Sequence, residues 1–220
     1  MRLAHDPEAV ARLREPTEEA PWRVLLSGCI AGLACGVDGT DYGFGGAMQW
    51  FFDLPHVVAV PFCPEDAGLG TPRGWPDIEG GDGLDVLDGK ARVVDQDGKD
   101  LTAGMIAGAE AMVAFAEKER IDFALLMDMS GACGSQVISD GTRFVEERKY
   151  RRGYGVAAAA LARAGVPIVS QRDDRTLDRL RLRLTPDATP RDDAVDHHER
   201  EWYRTYFRTE GFETDGSPGS

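Results

Sequence analysis

The chain has 220 residues and is 42% hydrophobic, enough for one domain with its own buried core. Its formal net charge of -13 at pH 7 repels phosphate backbones, so we expect no general binding of nucleic acid. Residues 1–20 are charged, and no stretch approaches the roughly 18 apolar residues of a membrane span. We therefore expect a cytoplasmic protein without a membrane segment, in a compartment where disulfides are rare.

Short apolar runs and helical patterns alternate along the chain. Residues 1–20 predict an amphipathic helix that ends at Pro16. Buried strands are predicted at the four apolar runs, residues 24–26, 57–60, 123–127 and 166–169. Helices are predicted at residues 102–119 and 155–164. The Gly- and Asp-rich residues 66–98 predict loop, with a small hairpin of Val86 and Val93-Val94 around Asp88-Gly89. This alternation favours an α/β fold with an open, mainly parallel sheet and helices on both faces.

The chain becomes strongly charged beyond residue 170. An amphipathic stripe there runs through Val195, Trp202, Tyr206 and Phe207. It predicts a helical extension that packs on the domain or on a second subunit, which would make a homodimer. His197 and His198 are adjacent, so on a helix they point in different directions, and we expect surface residues rather than a joint metal site.

Three segments follow from these patterns. We predict an N-terminal helical arm at residues 1–20, an α/β domain at residues 21–170 and a charged helical extension at residues 171–220. The polar and Gly-rich residues 214–220 predict a disordered tail.

Cysteines follow three of the four predicted strands. Cys29, Cys63 and Cys133 each stand among small residues just past an apolar run. The carboxyl ends of parallel strands meet at one edge of the sheet, where open α/β sheets bind ligands, so we expect the three thiols in one site. Three thiolates indicate a soft metal or an iron–sulfur cluster. A cubane cluster held by three cysteines leaves one iron open to a substrate.

Other interpretations of the cysteines stay open from the residues alone. Zinc held by three thiolates and water is one, although structural zinc sites usually pair their ligands as C-x₂-C and the chain has no such pair. A non-catalytic zinc or iron–sulfur protein would use the open position to carry or sense sulfur. Metal-free thiols buried in the core are another interpretation. Cys35 is either a spare thiol or a relay for sulfur or redox chemistry.

Five segments of the chain resemble a small bacterial domain family whose characterised members are thiouracil desulfurases. The most specific part is the ordered set of three cysteine motifs with Cys-Pro-Glu in the middle. The resemblance covers about residues 22–170 and leaves both terminal extensions outside it. The segments are VLLSGCIAGLACGVDG (24–39), VPFCPEDAGLGTPR (60–73), DGKDLTAGMIAGAE (97–110), SGACGSQVISDGT (130–142) and GYGVAAAALARAGVPIVS (153–170).

The resemblance implies a [4Fe–4S] cluster with Cys29, Cys63 and Cys133 as its ligands. It also implies that the open iron binds the sulfur of a small thiolated pyrimidine, either the free base or a thionucleotide. Water then replaces sulfur at the ring carbon and sulfide leaves, without a net redox change. The cluster would act as a Lewis acid in this reaction.

The resemblance further assigns roles to four polar residues. Glu65 of the Cys-Pro-Glu motif is expected to transfer protons, and Ser130 to hydrogen-bond the substrate. Asp38 is expected to take part in catalysis, although its place before Gly39 also suits an ordinary turn. Arg73 is expected to anchor an anion or a carboxylate, and we assign it to substrate binding.

Two departures from the family pattern lie near the predicted pocket. Gly36-Val37 stands where Arg-Tyr is common, and Gly131-Ala132 stands where Pro-Ser is usual. These departures affect the identity of the substrate more than the predicted cluster.

Overall fold

The structure, a computed structural model, describes residues 7–209. The start of the predicted arm and the predicted disordered tail lie outside the described residues. In chain order the elements are α1 (Pro7–Ala11), β1 (Trp22–Ser27), α2 (Gln49–Phe52), β2 (Val57–Phe62), α3 (Pro64–Leu69), β3 (Asp77–Glu79), α4 (Gly83–Leu87), β4 (Arg92–Val94), α5 (Thr102–Lys118), β5 (Phe123–Leu126), β6 (Val137–Ser139), β7 (Tyr150–Arg152), α6 (Val156–Arg163), β8 (Ile168–Ser170), α7 (Asp174–Leu184), a 3₁₀ turn (His197–Glu199) and α8 (Glu201–Thr209).

A four-stranded parallel sheet forms the centre of the fold. The strand order is β2-β1-β5-β8, and each neighbouring pair is parallel. The four strands coincide with the four apolar runs, so the predicted α/β class with an open parallel sheet is confirmed. Two antiparallel pairs, β3 with β4 and β6 with β7, lie outside this sheet.

Alternate side chains of each strand enter two different hydrophobic layers. Leu25 of β1 packs in a layer with α5 and α6, whereas Val24 and Leu26 pack in a second layer with α2 and α7. The spacing of the buried residues of α5 matches the helical period, with Met105, Ala109, Met112 and Ala116 on one face. Helices therefore cover both faces of the sheet, as predicted.

The C-terminal extension contributes to the second layer. Leu177, Leu180 and Leu184 of α7 pack with the sheet residues of that layer, at a spacing of three and four residues. In α8 the buried aromatic residues are Tyr203 and Phe207, whereas Trp202 is 40% exposed, so the predicted stripe is rotated by one residue. The division of the chain into three segments stays a prediction.

Two predictions from local pattern are wrong. Within the described part of the arm the α-helix ends at Ala11, and the chain then turns so that Arg14 pairs with Asp122 ahead of β5. Residues 66–98 are not a continuous loop, because Asp82 caps α4 through a capping box and β3 pairs with β4. No helix among residues 7–209 combines the length and the apolar character that crossing a membrane requires.

Candidate active site at the cysteine edge

Two cysteines lie at the carboxyl edge of adjacent strands. Cys29 stands two residues beyond the end of β1, and Cys63 follows β2 directly. The last residues of these strands, Ser27 and Phe62, are register partners, and the Gly28 amide donates to the Phe62 carbonyl at 2.9 Å. The parallel pairing of β1 and β2 thus brings the two cysteine-bearing turns side by side.

Cys133 reaches the same region from a longer loop. It stands seven residues after the end of β5, in the loop that precedes β6. Its thiol is hydrogen-bonded to Ser27, at the end of β1, and is affected electrostatically by the Cys63 and Cys29 thiols. The structure therefore brings together the three cysteines that the sequence pattern placed in one site.

The thiols of Cys63 and Cys35 form a hydrogen-bonded pair. Donation from Cys35 lowers the pKa of Cys63 below its ordinary value, against the opposing effect of burial, and the Asp66 amide at 3.4 Å lowers that pKa further. The same hydrogen bond raises the pKa of Cys35. Cys63 also caps the N-terminus of α3, where backbone amides favour an anion. Cys63 is therefore the readiest thiolate of the site.

Burial has the opposite effect on the other two cysteines. It raises the pKa of Cys29 to about 11, with a further increase from the neighbouring Cys63. It also raises the pKa of Cys133 well above its ordinary value, partly offset by the hydrogen bond from Ser27. A bound cation would have to displace these protons, and its charge would then stabilise the buried thiolates.

The donor set suits a cluster better than a single ion. Within residues 7–209 no three His, Cys, Asp or Glu side chains are placed to hold one metal ion. A zinc ion needs all its thiolate donors at about 2.3 Å from one point, whereas a cubane takes each cysteine at a different iron. A Cβ at Gly28 would lie 3.1 Å from both the Cys35 sulfur and the Cys63 Cβ, so this glycine keeps space open between the thiols. The residues present therefore fit a cluster.

Glu65 is fixed by an arginine beside the thiols. Its Oε2 atom accepts from Arg73 Nη2 at 2.6 Å and from Arg73 Nε at 3.2 Å. Arg73 also donates to the carbonyls of Cys35, at 2.9 Å, and Gly70, at 3.0 Å, and to Thr71 Oγ1 at 3.0 Å. These contacts use the five donors of the guanidinium, and its side chain is only 5% exposed. The geometry thus favours orientation of Glu65 over the predicted binding of a substrate anion by Arg73.

Ser130 connects Glu65 with the loop of Cys133. Its hydroxyl lies 3.5 Å from Glu65 Oε1, the carboxylate oxygen that Arg73 does not contact. It also accepts from the amides of Ala132, at 3.2 Å, and Cys133, at 3.1 Å. Ser130 is thus both a turn residue and a neighbour of the predicted proton-transfer group.

Asp38 lies on the exposed side of its turn. Its Oδ1 atom accepts from the Thr40 hydroxyl at 2.8 Å and from the Thr40 amide at 2.9 Å. These bonds, the hydroxyl first, lower the pKa of Asp38. These hydrogen bonds are those of an ordinary turn. None of the hydrogen bonds described for Asp38 joins it to Glu65 or to the cysteines. Its catalytic role stays a prediction.

Tyr42 is a neighbour of the site that sequence reasoning did not identify. Its hydroxyl accepts from the Val37 amide at 2.6 Å, and its backbone has a positive φ of 56°. A Cβ at Gly36 would lie 2.7 Å from the Tyr42 ring, so the glycine that replaces the usual arginine makes room for this ring. The Trp75 ring, which is 44% exposed, lies 5.7 Å from the Tyr42 ring. In the sequence, the sign of this arrangement was the glycine at position 36, where arginine is common in the family.

A cavity of about 400 Å³ opens beside the thiols. This volume lies within the range of small-molecule pockets. Apolar side chains dominate its wall, and two cysteines contribute to it. The lining residues are Leu33, Ala34, Cys35, Pro61, Phe62, Cys63, Asp66 and Ala67.

Fold and site together define an α/β protein with a thiol-lined pocket at the edge of a parallel sheet. The family profile described as 2-thiouracil desulfurase matches residues 24–173, and the chain belongs to the 2-thiouracil desulfurase family. The chain is also similar to uncharacterized protein YbbK of Bacillus subtilis (strain 168). The two are 33% identical over 151 residues, which cover 68% of this chain and 96% of YbbK.

A solved structure also resembles this fold. It is that of the [4Fe–4S]-dependent thiouracil desulfidase TudS, with a TM-score of 0.53 and 30% sequence identity. The similarity covers 68% of this chain and 91% of TudS. The family match ends at residue 173, so α7, the 3₁₀ turn and α8 lie outside it.

Proposed function

We propose that this protein is a [4Fe–4S]-dependent desulfurase that converts a thiolated pyrimidine to the corresponding oxo-pyrimidine and sulfide. The observation that supports this most is the convergence of Cys29, Cys63 and Cys133 beside the Glu65–Arg73 pair, in a chain of the 2-thiouracil desulfurase family. TudS is named as a [4Fe–4S]-dependent enzyme, which supports the same cofactor for this chain. When bound, such a cluster supplies an open iron with affinity for a thiocarbonyl sulfur.

Cys29, Cys63 and Cys133 would hold the cluster. Cys63 is the natural first ligand, because its lowered pKa provides a thiolate before the metal arrives. Cys35 is hydrogen-bonded to Cys63, so it would be a neighbour of the cluster rather than a required ligand. We assign it the role of stabilising the Cys63 thiolate.

Glu65 would move the proton that the reaction releases. Replacement of sulfur by water forms a bond from oxygen to the ring carbon, breaks the carbon–sulfur bond and transfers the protons of water, with no change in oxidation state. Arg73 contacts Oε2 and leaves Oε1 beside the Ser130 hydroxyl, so Oε1 is the oxygen that accepts a proton from water. The Ser130 hydroxyl would orient that water or the exocyclic group of the pyrimidine.

The ring of the substrate would lie against exposed aromatic side chains. Tyr42 and Trp75 present ring surface close to Gly36, which follows Cys35 in the chain. Aromatic rings stack on nucleobases whatever their substituents, which suits a thiolated pyrimidine as base or nucleotide. The thiol-lined cavity of about 400 Å³ also has room for a pyrimidine, and the two aromatic side chains lie outside its lining.

Anaerobic reconstitution with iron and sulfide tests the proposal. We expect an absorbance band near 400 nm, about four irons per chain and sulfide release from 2-thiouracil or 4-thiouracil. Cys63→Ser should lose the cluster, and Cys35→Ser is the matched control that should keep it. A colourless parent protein that binds zinc would refute the proposal, and a brown parent without sulfide release would favour sulfur binding over catalysis.

A further inference from the structure

A histidine from beyond the family match is buried against the loop that carries Cys133. His197 Nδ1 lies 2.6 Å from Asp128 Oδ2, and neither side chain has exposed surface. The predicted surface position of His197 is therefore wrong. The rings of Trp202 and Tyr203 lie beside the imidazole, at centroid distances of 6.0 and 5.4 Å. The extension thus inserts this side chain into the domain rather than leaving it in solvent.

The other oxygen of Asp128 closes the loop around Cys133. Asp128 Oδ1 accepts four backbone amides at distances of 3.0 to 3.2 Å. They belong to residues on both sides of Cys133, so one carboxylate sets the position of both arms of the loop. The four amide donors are Met129, Ser135, Gln136 and Val137.

A fully buried carboxylate is stable only when both oxygens are hydrogen-bonded. For Oδ2, the described partners are His197 at 2.6 Å and the Ser170 hydroxyl at 3.3 Å. Loss of the imidazole would leave this oxygen with the longer bond. His197 Nε2 has no hydrogen-bond partner within residues 7–209, so the described hydrogen bonding of the ring is directed at Asp128.

A second hydrogen bond fixes the backbone of His197 relative to the same loop. The His197 amide donates to Asp173 Oδ1 at 3.0 Å. Both oxygens of Asp173 also accept from Gln136 Nε2, each at 2.8 Å, and Gln136 lies in the Cys133 loop. The histidine therefore meets the loop at two separate carboxylates, which gives its position little freedom.

We propose that His197 is a positioning residue of the active site, which holds the Cys133 loop closed through Asp128. Its importance for the cluster rests on the proposed function, in which Cys133 is a ligand. Its effect on the loop does not, because its hydrogen bonds to Asp128 and Asp173 involve no cysteine. Hydrogen-bonded partners of this kind orient metal ligands and commonly change metal affinity severalfold or more.

The first test uses the metal-free full-length protein. Alkylation of Cys133 by N-ethylmaleimide is followed by mass spectrometry of its peptide in the parent and in His197→Ala. We expect the rate at Cys133 relative to Cys29 to rise roughly tenfold, because only the loop opens. His197→Asn places an amide donor near the Nδ1 position and should restore slow alkylation. His198→Ala, at the exposed neighbouring position, should behave like the parent.

Two results would overturn the proposal. Equal Cys133 rates in the parent and His197→Ala would show that the loop does not depend on the histidine. A parallel rise at Cys29 and Cys133 would show general unfolding instead of local positioning.

The second test separates this proposal from the function itself. After anaerobic reconstitution we expect the 400 nm band of His197→Ala to decay in air roughly fivefold faster than in the parent and in His198→Ala. A parent without a cluster would refute the proposed function, and the alkylation result would still decide the role of His197. A stable cluster in both proteins would overturn the role of His197 in the active site.

Discussion

Arg73 contacts only one of the two oxygens of Glu65. Both Nη2 and Nε donate to Oε2, and Oε1 is left beside the Ser130 hydroxyl. The two oxygens of this carboxylate therefore have different environments, one fixed by a buried cation and one available to a substrate or water. This asymmetry leads to separate predictions for the two residues.

Glu65→Gln should bind the cluster and lose most of its turnover. The amide preserves the shape of the side chain but cannot accept a proton, so we expect a decrease in kcat of roughly 10²- to 10⁴-fold. The measurement is sulfide release at saturating thiouracil, with the iron content determined in the same sample. Glu79→Gln, at an exposed ion pair with Arg92, is the control. Full activity in Glu65→Gln would remove this residue from the mechanism.

Arg73→Lys should lower activity without loss of the cluster. Lysine keeps the charge but has three donors on one nitrogen, so it cannot hold Glu65 Oε2 and the Cys35 carbonyl at the same time. A misplaced carboxylate should reduce kcat roughly tenfold to a hundredfold, with a smaller change in KM. Arg92→Lys is the matched surface substitution and should have no effect. An increase in KM alone would instead support the predicted role of Arg73 in binding a substrate anion.

Gly28→Ala should impair assembly of the cluster. Its methyl group would lie 3.1 Å from the Cys35 sulfur and from the Cys63 Cβ, closer than ordinary van der Waals contact, so the thiols must move apart. We expect iron content after reconstitution to fall to about half or less, a loss consistent with displaced metal ligands. Gly131→Ala is the control, because a Cβ there meets only the Pro76 carbonyl, at 3.5 Å. Equal iron content in both variants would contradict the prediction.

Part of this site followed from sequence pattern and part did not. The apolar runs ended where the strands end, so the shared edge of Cys29 and Cys63 was predictable from strand polarity. The position of Cys133 depends on a loop closed by Asp128, a residue that no periodicity marks. His197 was predicted at the surface because it and His198 are adjacent and make a poor joint metal site on a helix, and only the tertiary fold buries it. Tyr42 depends on space at Gly36 and on a left-handed backbone, neither of which is visible as a pattern.

Thiol reactivity in the metal-free protein should increase with pH over a lower range for Cys63 than for Cys29. The pKa of Cys63 is lowered, so its thiolate persists as pH falls below the ordinary thiol range, and iodoacetamide should label it first near pH 7. The pKa of Cys29 is raised to about 11, so its labelling should remain slow at pH 8 and increase up to about pH 11. Cys35→Ala removes the donor to Cys63 and should slow its labelling at pH 7 severalfold, with Cys29 unchanged. Equal labelling of both cysteines at pH 7 would contradict the assigned hydrogen bond.

Trp75→Ala should weaken substrate binding more than it slows the chemical step. The indole is 44% exposed and lies 5.7 Å from the Tyr42 ring, and it takes no part in the hydrogen bonds described for Glu65. Stacking of a base on an aromatic side chain contributes about 1–3 kcal/mol, so loss of one ring should raise KM by roughly five- to a hundredfold. The measurement is a full rate curve with 2-thiouracil, 4-thiouracil and 4-thiouridine monophosphate. Phe144→Ala removes another exposed ring and should leave all three curves unchanged. A decrease in kcat at constant KM would show that Trp75 supports the catalytic groups instead of the pyrimidine ring.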